Sequence, residues 1–391
     1  MHRILHFLTN SEPFTISGYT VRSTHVLACQ QAQGIQVLGV TRLGYPVLVG
    51  KFPPSHRQTV GGNCFHRLLP WIYPRSLVRR NEVAVAKLVA VAREFGATVL
   101  HTTTDFSNAV VVAEAARQLS IPWVYEARGE LESTWLSRFP EEQRDEAASS
   151  EFYLAARSME TRCMQAAGGV VALSEVSRGQ MVERGVPSEK ITVIPNAVDK
   201  EVIGREFDQS AIRRELSLPV GAKIVGTVTA VVDYEGLDVL LRALEYLPPE
   251  YLILVVGDGT ARPDLEAVAD EIGVADRVIF VGRQPNSDIW RWYAALDVFV
   301  VPRKDTHVTR TVTPIKPLTA MALGIPVVAS DLPALREVTG QKAIYVRAEN
   351  PEDLARGIVE SYGTHQSGPE WAAKRTWSAN GRRYKELYDS L

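Results

Sequence analysis

Along most of the chain, short runs of β-branched and other apolar residues alternate with stretches in which apolar positions recur every third or fourth residue. In the first half the short runs are RILHFL, IQVLGV, TVLHT, PWVYEA and GVVALS. In the second they are KIVGTV, YLILVVG, RVIFVG, DVFVVP and PVVAS. Most lack the polar alternation of a half-exposed strand, so they read as strands buried on both faces. Between them the longer period predicts helices over 20–33, 81–95 and 108–119, then 237–247, 262–272 and 351–362. Strands alternating with helices predict an α/β protein whose parallel sheets are covered on both sides.

Two such series predict two Rossmann-like domains. The stretch ITVIPNAVDKEV (191–202), with Pro, Asn and Asp, reads as the link between them. The expected divisions are 1–197, 198–375 and a C-terminal segment, 376–391. That segment, TWSANGRRYKELYDSL, is an amphipathic helix with Trp377, Tyr384, Leu387 and Tyr388 as anchors for a neighbouring surface. It either caps its own domain or crosses to the other.

The length of 391 residues suits two domains rather than one core. No run of apolar residues is long enough to span a bilayer, and the opening MHRILHFLTN reads as a first strand rather than a signal peptide. Three widely spaced cysteines, Cys29, Cys64 and Cys163, form neither a disulfide framework nor a metal cluster, which fits a reducing cytoplasm. Charge changes the picture more. The chain carries −2 overall, yet residues 1–120 hold twelve Arg and Lys against five Asp and Glu. A basic first half suggests an anionic partner.

Ligands of open parallel sheets bind at the carboxyl ends of strands. After the first strand, SEPFTISGYTVRSTH places Gly18 at a helix start that Thr20 can cap, where free amides favour an anion. In VVGDGTARPDLEAVA (255–269) glycines allow a tight turn and a close approach to a ligand, or serve the turn alone. VPRKDTHVTRTVTPIKPLT (301–319) is the richest segment. Arg303, Lys304, Arg310 and Lys316 bracket the hydroxyls of Thr309, Thr311 and Thr313 ahead of the helical run LTAMAL, a cradle for a diphosphate. FHRLLPWIYPRSLVRR (65–80) interleaves apolar with basic residues and suits an anionic membrane surface. His101, Asp105, Glu126, Arg128, Glu130 and Glu132 are candidates to meet in a cleft. Neither G-x-G-x-x-G nor a P-loop is present, and no HExxH or GxSxG.

In order and spacing, SGYTVRSTHVL, VYEARGELESTW, ALSEVSRGQMVERGVPSEKITVIPNAVD, VGTVTAVVDYEGLDVLLRAL, VVGDGTARPDLEAVADEIGVADRVIFVGR and PIKPLTAMALGIPVVASDLPALREV resemble the GT-B glycosyltransferases of family 4. The resemblance implies two Rossmann-like domains facing a central cleft, with a C-terminal helix returning to the first. It implies a retaining, nucleotide-sugar-dependent transferase without a metal or other cofactor. The donor would lie mainly on the second domain and a lipid-linked or glycan acceptor on the first. Nucleic acid is not an expected partner. The protein would be cytoplasmic, with peripheral contact at the inner face of the membrane through residues 65–80.

On this basis donor contacts fall to Gly18, Thr229, Gly257, Gly282, Arg283, Arg310, Thr311, Val312, Thr313 and Thr319. Arg303, Lys304, Lys316, Arg128 and His101 take the chemical roles, and Tyr19, Arg22 and Glu130 the acceptor side. The chain departs from the family at several positions. The usual pair of glutamates eight residues apart corresponds to Thr311 and Thr319, and the usual Arg and Lys to Ala230 and Glu235. These departures leave a second reading open, a GT-B protein without turnover that serves as a binding or partner subunit.

Overall fold

The computed structural model describes residues 2–136, 139–285, 288–364 and 368–391. The chain divides into two compact units, Met1–Pro195 with Trp377–Leu391, and Asn196–Thr376.

The first unit is built on β1 (Arg3–Leu8), β2 (Gln36–Thr41), β3 (Arg57–Val60), β4 (Asn63–Arg67), β5 (Val99–Thr103), β6 (Trp123–Ala127), β7 (Gly169–Ala172) and β8 (Ile191–Val193). They form one sheet in the order β3-β4-β2-β1-β5-β6-β7-β8. Every neighbouring pair is parallel except β3 with β4. That hairpin is absent from the sequence expectations, although Gly61 and Gly62, both at positive φ, are a recognisable two-residue turn. β8 also corrects the expected linker, since its residues 191–193 pair with β7 and belong to the sheet.

The second unit is built on β9 (Lys223–Val228), β10 (Tyr251–Val256), β11 (Val278–Gly282), β12 (Val298–Val301), β13 (Val327–Ser330) and β14 (Ile344–Val346). Its sheet, all parallel, runs β11-β10-β9-β12-β13-β14. Successive side chains of a strand point to opposite faces. Accordingly Phe299 and Val301 of β12 enter one apolar cluster, and Val298 and Val300 enter another. Burial on both faces is why these strands read as unbroken apolar runs.

Helix boundaries shift where capping side chains act. The first helix is Gly18–Gln31, capped by Ser17 rather than Thr20; Thr20, at the third helical position, returns the bond to the Ser17 backbone. Ser76 starts Leu77–Phe95 earlier than periodicity indicated, and Asp105 caps Phe106–Leu119. The terminal helix Trp377–Asp389 packs on Gly18–Gln31 in the first unit. All four expected anchors are buried. Trp377 stacks on His25 at 4.8 Å, and Gln30 donates to the Tyr388 hydroxyl at 2.9 Å. Gly381 lies where the helices touch, so that a Cβ there would sit 2.5 Å from the Cys29 carbonyl oxygen.

Residues 65–80 divide into two parts. Phe65, Arg67 and Leu68 are buried, contrary to a surface role. Arg67 has aromatic rings of Phe14, Tyr45 and Phe65 around its guanidinium and donates to the Glu12 carbonyl at 3.2 Å. Trp71, Ile72, Leu77 and Val78 are exposed. Among the described residues no helix is long and apolar enough to cross a membrane.

The tight crossing at Gly381 has a measurable consequence. Gly381→Ala should cost about 1–3 kcal/mol by overpacking. Urea denaturation should show it, together with earlier proteolysis in the terminal helix; unchanged stability would mean that the helices part without cost.

Candidate functional site

In an open parallel sheet, ligands bind where strand order reverses direction. The order places such points at β1/β5 in the first unit and β9/β12 in the second. Most residues singled out in the sequence lie at one or the other.

In the second unit the chain leaves β9 through Thr229 and folds back at Gly236, while β12 continues into Arg303. The backbones approach so closely that side chains are excluded. A Cβ on Gly236 would lie 2.0 Å from the Pro302 carbonyl oxygen, and one on Gly257 1.8 Å from that of Thr229. Gly257, at φ 137°, also donates its N–H to the Gly282 carbonyl at 3.0 Å. These two glycines serve the turn in the structure as it stands.

Glu235 is the centre of this site. Arg303 grips it with Nη2 at 2.8 Å from Oε1 and Nε at 3.3 Å from Oε2, while Nη1 donates to the Val312 carbonyl at 3.1 Å. Lys316 Nζ lies 3.5 Å from the same Oε1 and donates to the Thr229 hydroxyl. Burial pushes the Glu235 pKa upward, but Arg303 and Lys316 overcome it, and the carboxyl lies below its ordinary value. Lys316 is lowered from its usual range by burial, against the pull of Glu235.

The other two cations of the expected cradle turn elsewhere. Lys304 pairs with Asp233 at 2.7 Å and lies 3.4 Å from Asp238. Arg310 is exposed and held by both oxygens of Asp305, at 2.5 and 2.6 Å. The structure therefore brings Arg303 and Lys316 together, and leaves Lys304 and Arg310 on separate carboxylates. Thr311 and Thr313 are buried, and the Thr313 hydroxyl has no hydrogen-bond partner. Thr319 is partly buried on the helix Lys316–Ala322, and Arg283 is exposed beyond β11. That helix has only seven residues and no side-chain cap, so a bound anion would depend on the cationic side chains more than on the helix start.

In the first unit a cavity of about 220 Å³ opens beyond β1, β5 and β6. Tyr19, Arg128 and Glu130, three of the expected residues, line it. Beneath lies a buried network around Glu126. Its Oε1 accepts from Arg22 Nε and Arg128 Nε, each at 2.8 Å. Its Oε2 accepts from the Tyr384 hydroxyl at 2.8 Å and lies 3.2 Å from His101 Nε2. Burial raises the carboxyl, yet Arg128 and Arg22 hold it well below its ordinary value.

His101 is corrected by this geometry. Its ring is fully buried, with Nδ1 2.7 Å from the Tyr388 hydroxyl, and it does not line the cavity. Its two ring nitrogens face Tyr388 and Glu126 instead. Arg22 is likewise buried, donating to the carbonyls of Ile194 and Pro195 at 2.8 and 3.1 Å. Of the other clustered carboxylates, Asp105 caps a helix and Glu132 meets Arg184 at 3.0 Å. Tyr384, Tyr388, His6 and Arg184 were missed as members of these networks; their sequence neighbourhoods show only amphipathic helix or strand. Among the described residues no group of three or more His, Cys, Asp or Glu is placed to hold a metal ion.

Comparison with known proteins places this geometry among relatives. The family model described as a glycosyl transferase 4-like domain matches residues 17–197, and that of glycosyl transferases group 1 matches 222–363. A D-inositol 3-phosphate glycosyltransferase of Xylanimonas cellulosilytica is 32% identical over 180 residues, 44% of this chain and 42% of the relative. The lipopolysaccharide core biosynthesis mannosyltransferase LpsB of Rhizobium meliloti is 35% identical over 158 residues, 38% of this chain and 43% of the relative. The aligned regions thus span less than half the length of these two proteins. The fold is shared over the whole chain with Anabaena Alr3699/HepE, solved in complex with UDP and glucose (20% identity, all of both chains, TM-score 0.75). It is shared as well with sucrose-phosphate synthase from Thermosynechococcus elongatus (20% identity, 100% of this chain and 99% of the other, TM-score 0.77).

The buried ionisable groups of the first unit predict an acid-sensitive fold. Burial lowers His6 well below its ordinary 6.5, and burial lowers His101 as well. The unfolded chain therefore gains protons below pH 6.5 that the folded unit does not, and stability falls with pH by up to about 1.4 kcal/mol per unit for each ring. Glu160, pushed up to about 7 by burial, opposes this by taking its proton in the folded state first. Hydrogen exchange of β1 and β5 amides between pH 7 and 5 should show net acid loss, flatter in His6→Asn and steeper in Glu160→Gln. A pH-independent exchange free energy would contradict it.

Proposed function

The chain belongs to the GT-B glycosyltransferases of family 4, and from that premise we propose that it transfers a sugar, with retention, from a nucleotide-sugar donor to a lipid-linked or cell-surface glycan acceptor. The observation that carries the reading is the Arg303–Glu235–Lys316 cluster at the β9/β12 switch point. Two cations there can neutralise a departing diphosphate without a metal or other cofactor. The leaving phosphate oxygen can itself take the acceptor proton on the front face, so the residues supply position and charge rather than a strong base. The names of the relatives, a glycosyltransferase acting on inositol phosphate and a mannosyltransferase, support this class, as does UDP in HepE.

Lys316 is the residue on which the donor reading turns. Calorimetry against UDP, GDP, ADP, CDP and dTDP should find saturable binding of one nucleoside diphosphate. Lys316→Ala should weaken it ten- to a hundredfold, the loss of one charge-assisted bond worth roughly 1.5–3 kcal/mol. The second reading, a partner subunit without turnover, is favoured by one observation: all four cations of the cradle already have carboxylate partners. Donor hydrolysis or transfer by the purified protein would exclude it, and absence of both with nucleotide binding intact would establish it.

The acceptor side is supported by the surface around Trp71 and Ile72, which are 105% and 84% exposed. Leu77 and Val78 are exposed as well, with Arg75 and Arg79 in the same stretch of sequence. Apolar groups among cations suit an anionic bilayer surface. Vesicles containing phosphatidylglycerol should sediment the protein at low salt, and those of phosphatidylcholine alone should not. Replacing Trp71 and Ile72 together by Ser should abolish binding; unchanged sedimentation would move the membrane contact elsewhere.

A further inference from the structure

The turn that follows β9 is acidic where it meets the basic end of β12. Asp233 and Asp238 of that turn hold Lys304, at 2.7 and 3.4 Å. Glu235 between them holds Arg303 and Lys316, and those two cations are not alike. The Arg303 side chain is 7% exposed, and each of its nitrogens is engaged, Nε and Nη2 by Glu235 and Nη1 by the Val312 carbonyl. The Lys316 side chain is 28% exposed. Its ammonium carries three donors. One goes to the Thr229 hydroxyl and another faces Glu235 Oε1 at 3.5 Å, which leaves the third for an oxygen brought from outside.

Glu235 does not merely occupy the place of such a ligand. Its side chain is 6% exposed, and both its oxygens lie in the planar fork that a guanidinium presents to a carboxylate. The turn beneath it is fixed as well. The Lys304 amide donates to the Tyr234 carbonyl at 3.1 Å, and Gly236 passes the Pro302 carbonyl at a distance no side chain could share. A carboxylate held this way stays in place when an anion arrives.

Without it, Lys316 would shed its proton more readily, because burial disfavours the charged form. Burial lowers Lys316, Glu235 raises it, and Arg303 lowers it again. Helices packed against Lys316–Ala322 commit their charges elsewhere, Arg336 to Asp331 and Arg291 to Glu215, while Glu370 is exposed.

From this geometry we propose that Glu235 is a positioning residue, which keeps the Lys316 ammonium charged and aimed outward so that Lys316 is the member of the cluster that touches the donor phosphate. An acid placed inside a phosphate site thereby aids the binding of an anion. The inference rests on the donor reading only for the identity of that anion.

Two measurements test it, the first without any ligand. Acetic anhydride labelling of Lys316 across pH, followed by peptide mass spectrometry, reads the proton on its ammonium. In Glu235→Gln the labelling midpoint should move down by at least about one pH unit, the effect of losing one adjacent opposite charge. Because that variant leaves Arg303 buried without a counter-charge, Glu235→Asp is the companion. It keeps the charge, draws it back by one methylene, and should move the midpoint less in the same direction. The second measurement is calorimetry with whichever of UDP, GDP, ADP, CDP and dTDP binds the wild type. It runs upward from about pH 7.5, above the phosphate's second pKa of about 6. As pH rises, the affinity of Glu235→Gln should fall earlier than that of the wild type and approach that of Lys316→Ala. Adding Lys316→Arg to Glu235→Gln should remove this pH dependence, because a guanidinium keeps its proton.

An unmoved or raised midpoint in both variants would overturn the proposal. So would Glu235→Gln binding the nucleotide more tightly than the wild type at every pH, the result expected if Glu235 only repels the phosphate. A lowered midpoint with none of the five nucleotides bound would defeat the donor reading and leave the Glu235–Lys316 couple standing. Nucleotide binding weakened by Lys316→Ala, with an unmoved midpoint, would do the reverse.

Discussion

The first unit depends on one buried carboxylate. Glu126, at the end of a central strand, receives two guanidiniums and a tyrosine hydroxyl and lies beside His101. A charge with no exposure to water is tolerated only when paired and hydrogen-bonded, and each of these partners comes from a different part of the chain. Arg22 ties the first helix to Glu126 and to the backbone after β8, and Tyr384 ties the terminal helix to the same carboxylate. The cavity wall is a consequence, because Arg128 stands in it gripped by the same carboxylate.

The second unit repeats the arrangement with a different purpose. Glu235 is again a buried acid between two cations, but it lies at the open end of the strands, and Lys316 reaches the Thr229 hydroxyl across the turn. The glycines at 236 and 257 make this possible by allowing backbones to pass at distances that any side chain would block. At a position where the family resemblance led us to expect a cation, the chain has an acid. Arg303 and Lys316 lie against that acid and keep it ionised.

Much of the architecture was legible in the chain. Nine apolar runs marked interior strands, because burial on both faces leaves a composition that no local context disguises, and a tenth marked the edge strand β11. The anchors Trp377, Tyr384, Leu387 and Tyr388 were legible for the same reason, and each is buried. What escaped was short or polar, the three-residue β14 included. β3 and β4 carry polar and charged residues, and β8 has only three residues, too few for periodicity to register. Helix starts moved to Ser17, Ser76 and Asp105, where one side-chain bond outweighs the apolar period.

By itself, then, the sequence determined the two α/β units, the resemblance to family 4 and the segments in which functional residues would lie. These depend on patterns within a few residues or on ordered motifs. Only the tertiary structure decided which charges meet. His101 and Arg22, both read as facing a ligand, are consumed by Glu126; Lys304 and Arg310 leave the cradle for Asp233 and Asp305. Most of these pairings join residues far apart in the chain, 104 positions in the case of Arg22 and Glu126. An ion pair depends on distance and burial after folding, and neither is written in the spacing of residues along the chain.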